Sequence, residues 1–373
     1  MPDQFTTSST VGFGRRIINS LMGLVIGPVI FVISFGVLYW NEGRYDLSQL
    51  AKKATEISSS DVTNDQNLQG KLVSTTGTVK TVESLGDIYL KASNYLALNR
   101  KVEMYSWVEK KDTSSHKNFG GSETTDTTYT YTKGWTENPS SNFAHPEGHQ
   151  NPTKNLSSLT KKATTANVGV YRFDPQAITL PSFSQVVLSS QNVNVEQGAR
   201  IINDQYVFTS RSNGTFDNPG LGDLRVSYGV VNSGIQGTTF GALSGNRISS
   251  YNDGKGNKLF RLFEGSRGDG ISTIHGEYRV ITWVFRIIGF LMMWIGLMAF
   301  FGPIGTFLDF IPMFGGLSRG VIGFASFLVS FVLTVVTVII SMIIHNLIAL
   351  IIALVITAGV IVYFIKRKKR ATA

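Results

Sequence analysis

Residues 17–40, IINSLMGLVIGPVIFVISFGVLYW, decide the architecture of this chain of 373 residues. The stretch holds 24 consecutive positions without a charged side chain. As a helix rising about 1.5 Å per residue, it is long enough to cross the ~30 Å hydrocarbon core of a bilayer. Tyr39 and Trp40 close it with rings of the kind that anchor helices at the membrane surface. The sequence therefore predicts a transmembrane helix near the start of the chain.

A cleaved signal peptide is the alternative interpretation of this stretch, because the basic pair Arg15 and Arg16 precedes it. The stretch is longer than a typical signal-peptide core. Its end, Tyr39-Trp40-Asn41-Glu42, also lacks the small residues of a cleavage site. Both features favour a helix that stays in the protein.

Three further apolar runs follow a long polar stretch and predict three more membrane helices. The predicted fold class is an α+β membrane protein, with four transmembrane helices and a large β-rich extramembrane domain inserted between the first and the second. From N- to C-terminus the predicted parts are a cytoplasmic segment 1–16, helix 17–40, the β-rich lumenal or periplasmic domain 41–278, helix 279–302, a connecting loop 303–319, helix 320–344, helix 347–365 and a basic cytoplasmic tail 366–373.

The net charge of +9 comes from the membrane flanks. Residues 41–278 hold 24 Lys and Arg against 23 Asp and Glu, so the polar domain is nearly neutral and does not resemble a nucleic-acid-binding domain. Basic residues flank the membrane helices and predict a cytoplasmic location for both termini: Arg15, Arg16, Lys366, Arg367, Lys368, Lys369 and Arg370. There is no cysteine, which excludes disulfides and thiolate chemistry.

The polar domain carries mainly strand patterns. Alternating or β-branched runs lie at 72–79, 102–108, 129–131, 185–188, 205–209, 224–231 and 260–263, separated by turn clusters. Helix is predicted at 47–57 and at 155–164. The Thr/Tyr alternation near 127–132 predicts a long hairpin with its tip near Gly120. We expect a β-rich domain, with a barrel as one possible form.

No catalytic constellation is recognisable, since hydrolase, zinc-protease and phosphate-loop motifs are all missing. His145, Glu147 and His149 could ligate a metal, but Pro146 and Gly148 disfavour the helix that would align the two imidazoles. A structural turn is the stronger interpretation. We therefore predict no enzymatic activity and no cofactor.

Two features of the apolar helices admit two interpretations each. Gly23 and Gly27 form a small-xxx-small pair that is either a packing face or a chance spacing. Arg279 and Arg286 lie on one helical face, and Arg286 falls inside an apolar run, where an unpaired charge is costly. Arg286 either extends to the membrane surface or forms an ion pair with the domain or with a lipid phosphate.

Six short motifs, in this order, resemble the transmembrane protein 43 family, also called LUMA: Asn41-Glu42-Gly43-Arg44, residues 71–77, residues 100–109 (RKVEMYSWVE), residues 129–135, residues 148–152 (GHQNP) and residues 222–228 (GDLRVSY). The motif positions of interest are Glu103, Tyr105, Trp107, His149, Asn151, Pro152, Gly222, Asp223 and Arg225, together with residues 41–44. Structural ion pairs are the stronger interpretation of their charges.

The resemblance implies a four-span protein of the endoplasmic reticulum and inner nuclear membrane in animals, or of the cell membrane in a bacterium. It also implies envelope organisation, with lamin and emerin as partners, and scaffolding in signalling. Our leading hypothesis is a non-enzymatic membrane scaffold that contacts the bilayer, other membrane proteins and further copies of itself, and no nucleic acid. The alternative is a lipid-handling protein or enzyme that uses the membrane-proximal face of the domain, with Arg279 and Arg286 contacting lipid headgroups.

Overall fold

The computed structural model describes residues 3–195, 198–308, 315–346, 350–352 and 354–357. The helices are α1 (Phe13–Glu42), α2 (Leu47–Lys52), α3 (Arg267–Leu308) and α4 (Gly315–His345), with a short 3-10 turn at Gln66–Leu68. The strands are β1 (Gln4–Val11), β2 (Thr55–Ile57), β3 (Leu72–Lys80), β4 (Tyr95–Lys117), β5 (Glu123–Thr136), β6 (Leu159–Lys162), β7 (Ala166–Val168), β8 (Tyr171–Phe173), β9 (Ser184–Gln185), β10 (Ala199–Ile202), β11 (Tyr206–Thr209), β12 (Leu224–Asn232), β13 (Ile235–Ser244), β14 (Arg247–Ser249), β15 (Tyr251–Asn252), β16 (Lys258–Leu259) and β17 (Arg261–Glu264).

The chain divides into two compact units. The β unit comprises Met1–Thr7, Asp46–Thr113 and Thr127–Gly276, and the helical unit comprises Ser8–Tyr45, Ser114–Asp126 and Glu277–Ala373. A mixed α+β protein with a large β-rich domain is therefore confirmed.

An eight-stranded sheet has the order β1-β5-β4-β12-β11-β10, with β6 beside β4 and β9 beside β12. Strand β12 alternates apolar and polar positions, so one row faces the interior of the β unit. That row, Val226, Tyr228 and Val230, packs in one core with Leu98 and Val102 of β4. The predicted strand at 224–231 and the predicted hairpin near 112–134 are both confirmed.

A second sheet closes on itself. Antiparallel pairs join β3 to β13, β13 to β14, β7 to β8 and β3 to β7, and a parallel pair joins β14 to β8. The five strands thus form a ring, which confirms the barrel-like form for this part. Its core includes Val73, Val168, Tyr171, Leu243 and Ile248.

Two predictions of helix within the β unit need correction. The segment predicted as helix 47–57 is helical only at Leu47–Lys52, and Thr55–Ile57 pairs in parallel with β3. The segment predicted as helix 155–164 instead forms β6, which pairs with β4. In both cases the segment forms backbone hydrogen bonds with a neighbouring strand, and these bonds outweigh the weak local preference for helix.

Three helices of the described residues, α1, α3 and α4, are long and apolar enough to cross a membrane. Helix α3 begins at Arg267, ahead of the predicted start at 279, because Ser266 and Asp269 form a reciprocal cap. The Ser266 N–H donates to Asp269 Oδ2 at 2.9 Å, and the Asp269 N–H donates to Ser266 Oγ at 3.3 Å. Because of this cap, the helix includes residues 267–278, which were predicted to belong to the β-rich domain because they are polar.

The predicted break of the helix at Pro303 is also wrong, since α3 continues to Leu308. Pro303 has no backbone N–H to donate to the Ala299 carbonyl, and a membrane helix that packs against neighbouring helices tolerates that loss. Of the predicted fourth span, 347–365, residues 350–352 and 354–357 are described and helical. The rest of that span and the tail Lys366–Arg370 lie outside the described residues.

Candidate functional site

An ion pair joins the C-terminal end of α1 to α3 in the helical unit. Arg286 Nε donates to Glu42 Oε1 and Arg286 Nη2 donates to Glu42 Oε2, each at 2.8 Å. The Glu42 side chain is 4% exposed and that of Arg286 is 17% exposed. The sequence predicted either membrane-surface extension of Arg286 or an ion pair with the domain or a lipid phosphate. In the structure its partner is the carboxylate at the end of α1.

The other residues of the Asn41-Glu42-Gly43-Arg44 motif surround this pair. Asn41 is buried and its Nδ2 donates to the Thr282 carbonyl of α3 at 3.1 Å. Arg44 does not pair with Glu42. Its guanidinium lies 5.6 Å from the ring of Tyr278, with Trp40 and Phe285 at similar distances. These three rings stabilise the Arg44 cation just beyond the C-terminal end of α1.

Gly43 has a steric reason to be glycine. A Cβ at this position would lie 2.4 Å from His345 Nε2, at the end of α4. The ring of His345 also packs 4.5 Å from the ring of Tyr39. The motif therefore brings the end of α1 against both α3 and α4. Tyr39 and Trp40 remain 47% and 57% exposed, as membrane-surface anchors require.

Deeper in the helical unit, α1 and α3 approach closely through glycines. A Cβ on Gly23 would lie 2.3 Å from the Ala299 carbonyl oxygen, and one on Gly27 would lie 2.7 Å from that of Gly296. Of the two interpretations of the Gly23/Gly27 spacing, the structure supports a packing face.

Arg16, predicted as an orientation signal, has partners in the helical unit. Its Nε lies 2.9 Å from Glu123 Oε2, and its Nη1 donates to the Gly121 carbonyl in the turn between β4 and β5. The predicted topology places the hairpin tip near residue 120 on the side of the membrane opposite Arg16. These contacts instead place the tip beside Arg16. Arg15 is exposed.

In the β unit, Arg225 and Glu103 are directly opposite on β12 and β4, and Arg225 Nε donates to Glu103 Oε2 at 2.8 Å. Burial alone would raise the pKa of Glu103, but the hydrogen bond from Arg225 and the charge of Lys101 hold it below its usual value. The sequence predicted structural ion pairs for the charges of the motif positions, without naming their partners. The structure gives Arg225 to Glu103.

Asp223 instead organises a loop. Its carboxylate is buried and accepts hydrogen bonds from the backbone N–H groups of Gly220 and Arg211 and from the hydroxyls of Ser210 and Ser212. Burial alone would raise the pKa of Asp223, but these hydrogen bonds hold it below the ordinary 3.8. At the adjacent Gly222, where φ is 90°, a Cβ would lie 2.9 Å from Pro152 Cγ.

A third buried group was not identified from the sequence. Arg100 Nη1 lies 2.8 Å from Asp87 Oδ1, and the Tyr228 hydroxyl donates to Asp87 Oδ2 at 2.8 Å. Burial and this hydrogen bond raise the pKa of Tyr228. Arg100 and Tyr228 are directly opposite on β4 and β12. Both lie in the family-like motifs, and this was the feature of the sequence that could have pointed to them. Asp87 carried no pattern that would have pointed to it.

The weak metal candidates do not assemble into a metal site. His149 is 1% exposed and stacks on Tyr131 with ring centres 4.1 Å apart, while His145 stacks on Phe5 at 4.5 Å. Asn151 holds the segment that follows His149, since its Nδ2 donates to the Trp107 carbonyl at 3.0 Å and its Oδ1 accepts a hydrogen bond from the Trp107 N–H at 2.7 Å. Across the described residues there is no group of three His, Cys, Asp or Glu side chains able to hold a metal ion.

Comparisons with known proteins agree with the motif pattern. A family model described as Transmembrane protein 43 matches residues 104–347. A protein named Transmembrane protein 43 homolog from Drosophila melanogaster is 28% identical over 291 residues, covering 73% of this chain and 74% of its own length. Transmembrane protein 43 from Homo sapiens is 28% identical over 332 residues, covering 83% and 80%. No solved structure matches the chain.

Proposed function

The chain belongs to the transmembrane protein 43 family, and we propose that it is a non-enzymatic membrane scaffold that organises membrane or envelope protein complexes. The observation that carries this proposal is a surface of the β unit, which we call the aromatic patch. It consists of the half-buried side chains of Tyr105, Trp135, Tyr206 and Phe216 around Arg225.

The aromatic patch has the composition of a protein-binding surface. The Arg225 guanidinium lies 4.9 Å from the ring centres of both Trp135 and Tyr206. Phe216 stacks on Trp135 at 6.2 Å. Aromatic residues and arginine are enriched at protein interfaces and contribute most of the binding energy there. Because Glu103 holds Arg225 from the neighbouring strand, the patch is organised before any partner arrives.

The charges of the family motifs support the same conclusion. Glu42, Glu103 and Asp223 are each engaged in ion pairs or hydrogen bonds within their own unit. A catalytic acid or base must be able to reach and exchange a proton with a substrate, whereas the hydrogen bonds of these three carboxylates go to other residues of the protein.

We place the protein in the endoplasmic reticulum or inner nuclear membrane of a eukaryote, or in the cell membrane of a bacterium. Its partners are the lipid bilayer, other membrane proteins and further copies of the chain. The basic flanks support a cytoplasmic location for Arg15, Arg16 and the C-terminal tail. Because Arg16 binds Gly121, this proposal puts the turn at 118–122 on the cytoplasmic side as well.

Crosslinking in native membranes followed by mass spectrometry tests the scaffold. We expect Trp135→Ala and Phe216→Ala to remove a defined set of crosslinked proteins. Phe183→Ala, which changes an exposed aromatic residue of the β unit outside the aromatic patch, should retain that set. Equal losses in all three variants would refute recruitment through the aromatic patch. A metal-dependent turnover that His149→Ala abolishes would refute the non-enzymatic assignment.

A further inference from the structure

Two adjoining spaces lie along α3 and α4 in the helical unit. The first, which we call the head cavity, has a volume of about 490 Å³ and is lined by polar and apolar groups in similar measure; its polar members include Glu42, Arg279, Arg286, His345 and Asn346. The second, which we call the tail groove, has a volume of about 500 Å³. Its lining is almost wholly apolar and includes Phe290, Phe327, Phe331, Val335, Val338 and Ile339.

The two spaces form one amphipathic site because they share three lining residues, Trp283, Arg286 and Met342. Along α4 the lining extends from Phe327 to Asn346, and the apolar part ends at Met342. The rise along the helix from Phe327 to Met342 is about 22 Å, which exceeds half of the ~30 Å hydrocarbon core. The tail groove is therefore long enough for one acyl chain of a single leaflet.

The charge of the head cavity favours an anion. Glu42 neutralises Arg286 through the paired 2.8 Å hydrogen bonds described above. Arg279 lines the same cavity and is exposed, and no ion pair engages it within the described part of the chain. The cavity thus has one cation in excess. A phosphate fits the geometry of a guanidinium group, which can donate two parallel hydrogen bonds to it.

The aromatic lining gives the site a defined depth. Trp283 is 58% exposed and lies where the two spaces join. Indole rings concentrate at the boundary between headgroups and acyl chains. The head cavity is thereby placed at headgroup level and the tail groove in the hydrocarbon.

We propose that this site binds one anionic glycerophospholipid, with its phosphate at Arg279 and one acyl chain in the tail groove. The proposal is independent of the scaffold role, since a bound lipid neither requires nor excludes protein partners at the aromatic patch. It also revises the expectation from the sequence. Of the two arginines predicted to meet a lipid, Arg279 contacts the phosphate, and Arg286 belongs to the wall.

The test uses the purified full chain and native mass spectrometry, with phosphatidylglycerol and phosphatidylcholine of identical acyl chains as probes. We expect one phosphatidylglycerol per chain, bound in preference to phosphatidylcholine. Arg279→Gln should weaken phosphatidylglycerol binding about tenfold, the effect of losing one charge-assisted hydrogen bond. The matched control is Arg15→Gln, which removes an exposed arginine at the other end of α1 and should leave binding unchanged.

A second pair of variants tests the tail groove without relying on charge. Val335→Phe places a ring in the groove and should weaken binding of both lipids, whereas Val336→Phe should not. Val335 and Val336 are 42% and 44% exposed, and only Val335 lines the groove, so both variants should fold alike. Unchanged lipid binding in Arg279→Gln or in Val335→Phe would overturn the proposal. Binding of several lipids per chain with no headgroup preference would overturn it as well.

Discussion

Breaking the ion pair between Glu42 and Arg286 should destabilise the helical unit strongly, and restoring neutrality should reverse most of the loss. Arg286→Met leaves the Glu42 carboxylate, 4% exposed, without its two 2.8 Å donors. Removing one partner of a buried pair costs about 3–5 kcal/mol, because the remaining charge is desolvated and unpaired. Glu42→Gln should cost less, since the stranded Arg286 side chain is 17% exposed and reaches more water.

The double variant Glu42→Gln/Arg286→Met separates this reasoning from a general packing defect. With both charges gone, neither position leaves an unpaired buried charge, so the free energy of unfolding of the double variant should lie within about 1–2 kcal/mol of the parent. Unfolding is measured by SDS titration in mixed micelles with tryptophan fluorescence. Arg279→Met, at an exposed position on the same helix, is the control and should shift unfolding by less than about 0.5 kcal/mol. Additive losses in the double variant would refute the argument.

Asp223→Asn should destabilise the β unit by about 2–3 kcal/mol at pH 7. The folded pKa of Asp223 is below the ordinary 3.8, so the difference in free energy of unfolding from the parent should persist above pH 3.8. In acid unfolding curves, this difference should vanish as the pH falls through the folded pKa of Asp223. Gly27→Ala should cost about 1–3 kcal/mol in the SDS titration by separating α1 from α3, whereas Gly36→Ala, where a Cβ meets nothing within 4 Å, should be neutral. Single cysteines introduced into this cysteine-free chain at Arg15 and Phe119 should react with a membrane-impermeant thiol reagent from the same side; labelling from opposite sides would contradict the contact of the hairpin tip with the start of α1.

Three membrane helices and several strands, β3, β4, β5 and β12 among them, were predictable because their signals are local. A charge-free run of 24 residues is too apolar to be left in water, whatever surrounds it. Alternation along 224–231 likewise places one row of side chains on a buried face wherever the strand pairs. The ends of these elements were less predictable. The cap at Ser266 starts α3 ahead of the limit that composition suggested, and α3 continues past Pro303 to Leu308.

Strand β13 shows why local patterns fail at close contacts. It pairs with β3, β14 and β17 at the centre of the second sheet, yet the sequence analysis predicted no strand there. Gly237 and Gly241 weaken its strand pattern. The structure requires them, since a Cβ at Gly241 would lie 2.4 Å from the Ser249 carbonyl oxygen and one at Gly237 would lie 2.8 Å from that of Phe263.

The residue 17–40 run and the three later apolar runs determined by themselves that this is a membrane protein, because transfer of apolar side chains out of water depends on composition and length alone. The sequence also identified Asn41-Glu42-Gly43-Arg44 as a family-like motif and Arg286 as a charge inside an apolar run. Only the tertiary structure paired Glu42 with Arg286, which lie 244 positions apart. A charge has no partner preference along the chain, so which opposite charge it meets is decided when helices pack and bring distant residues within hydrogen-bonding distance.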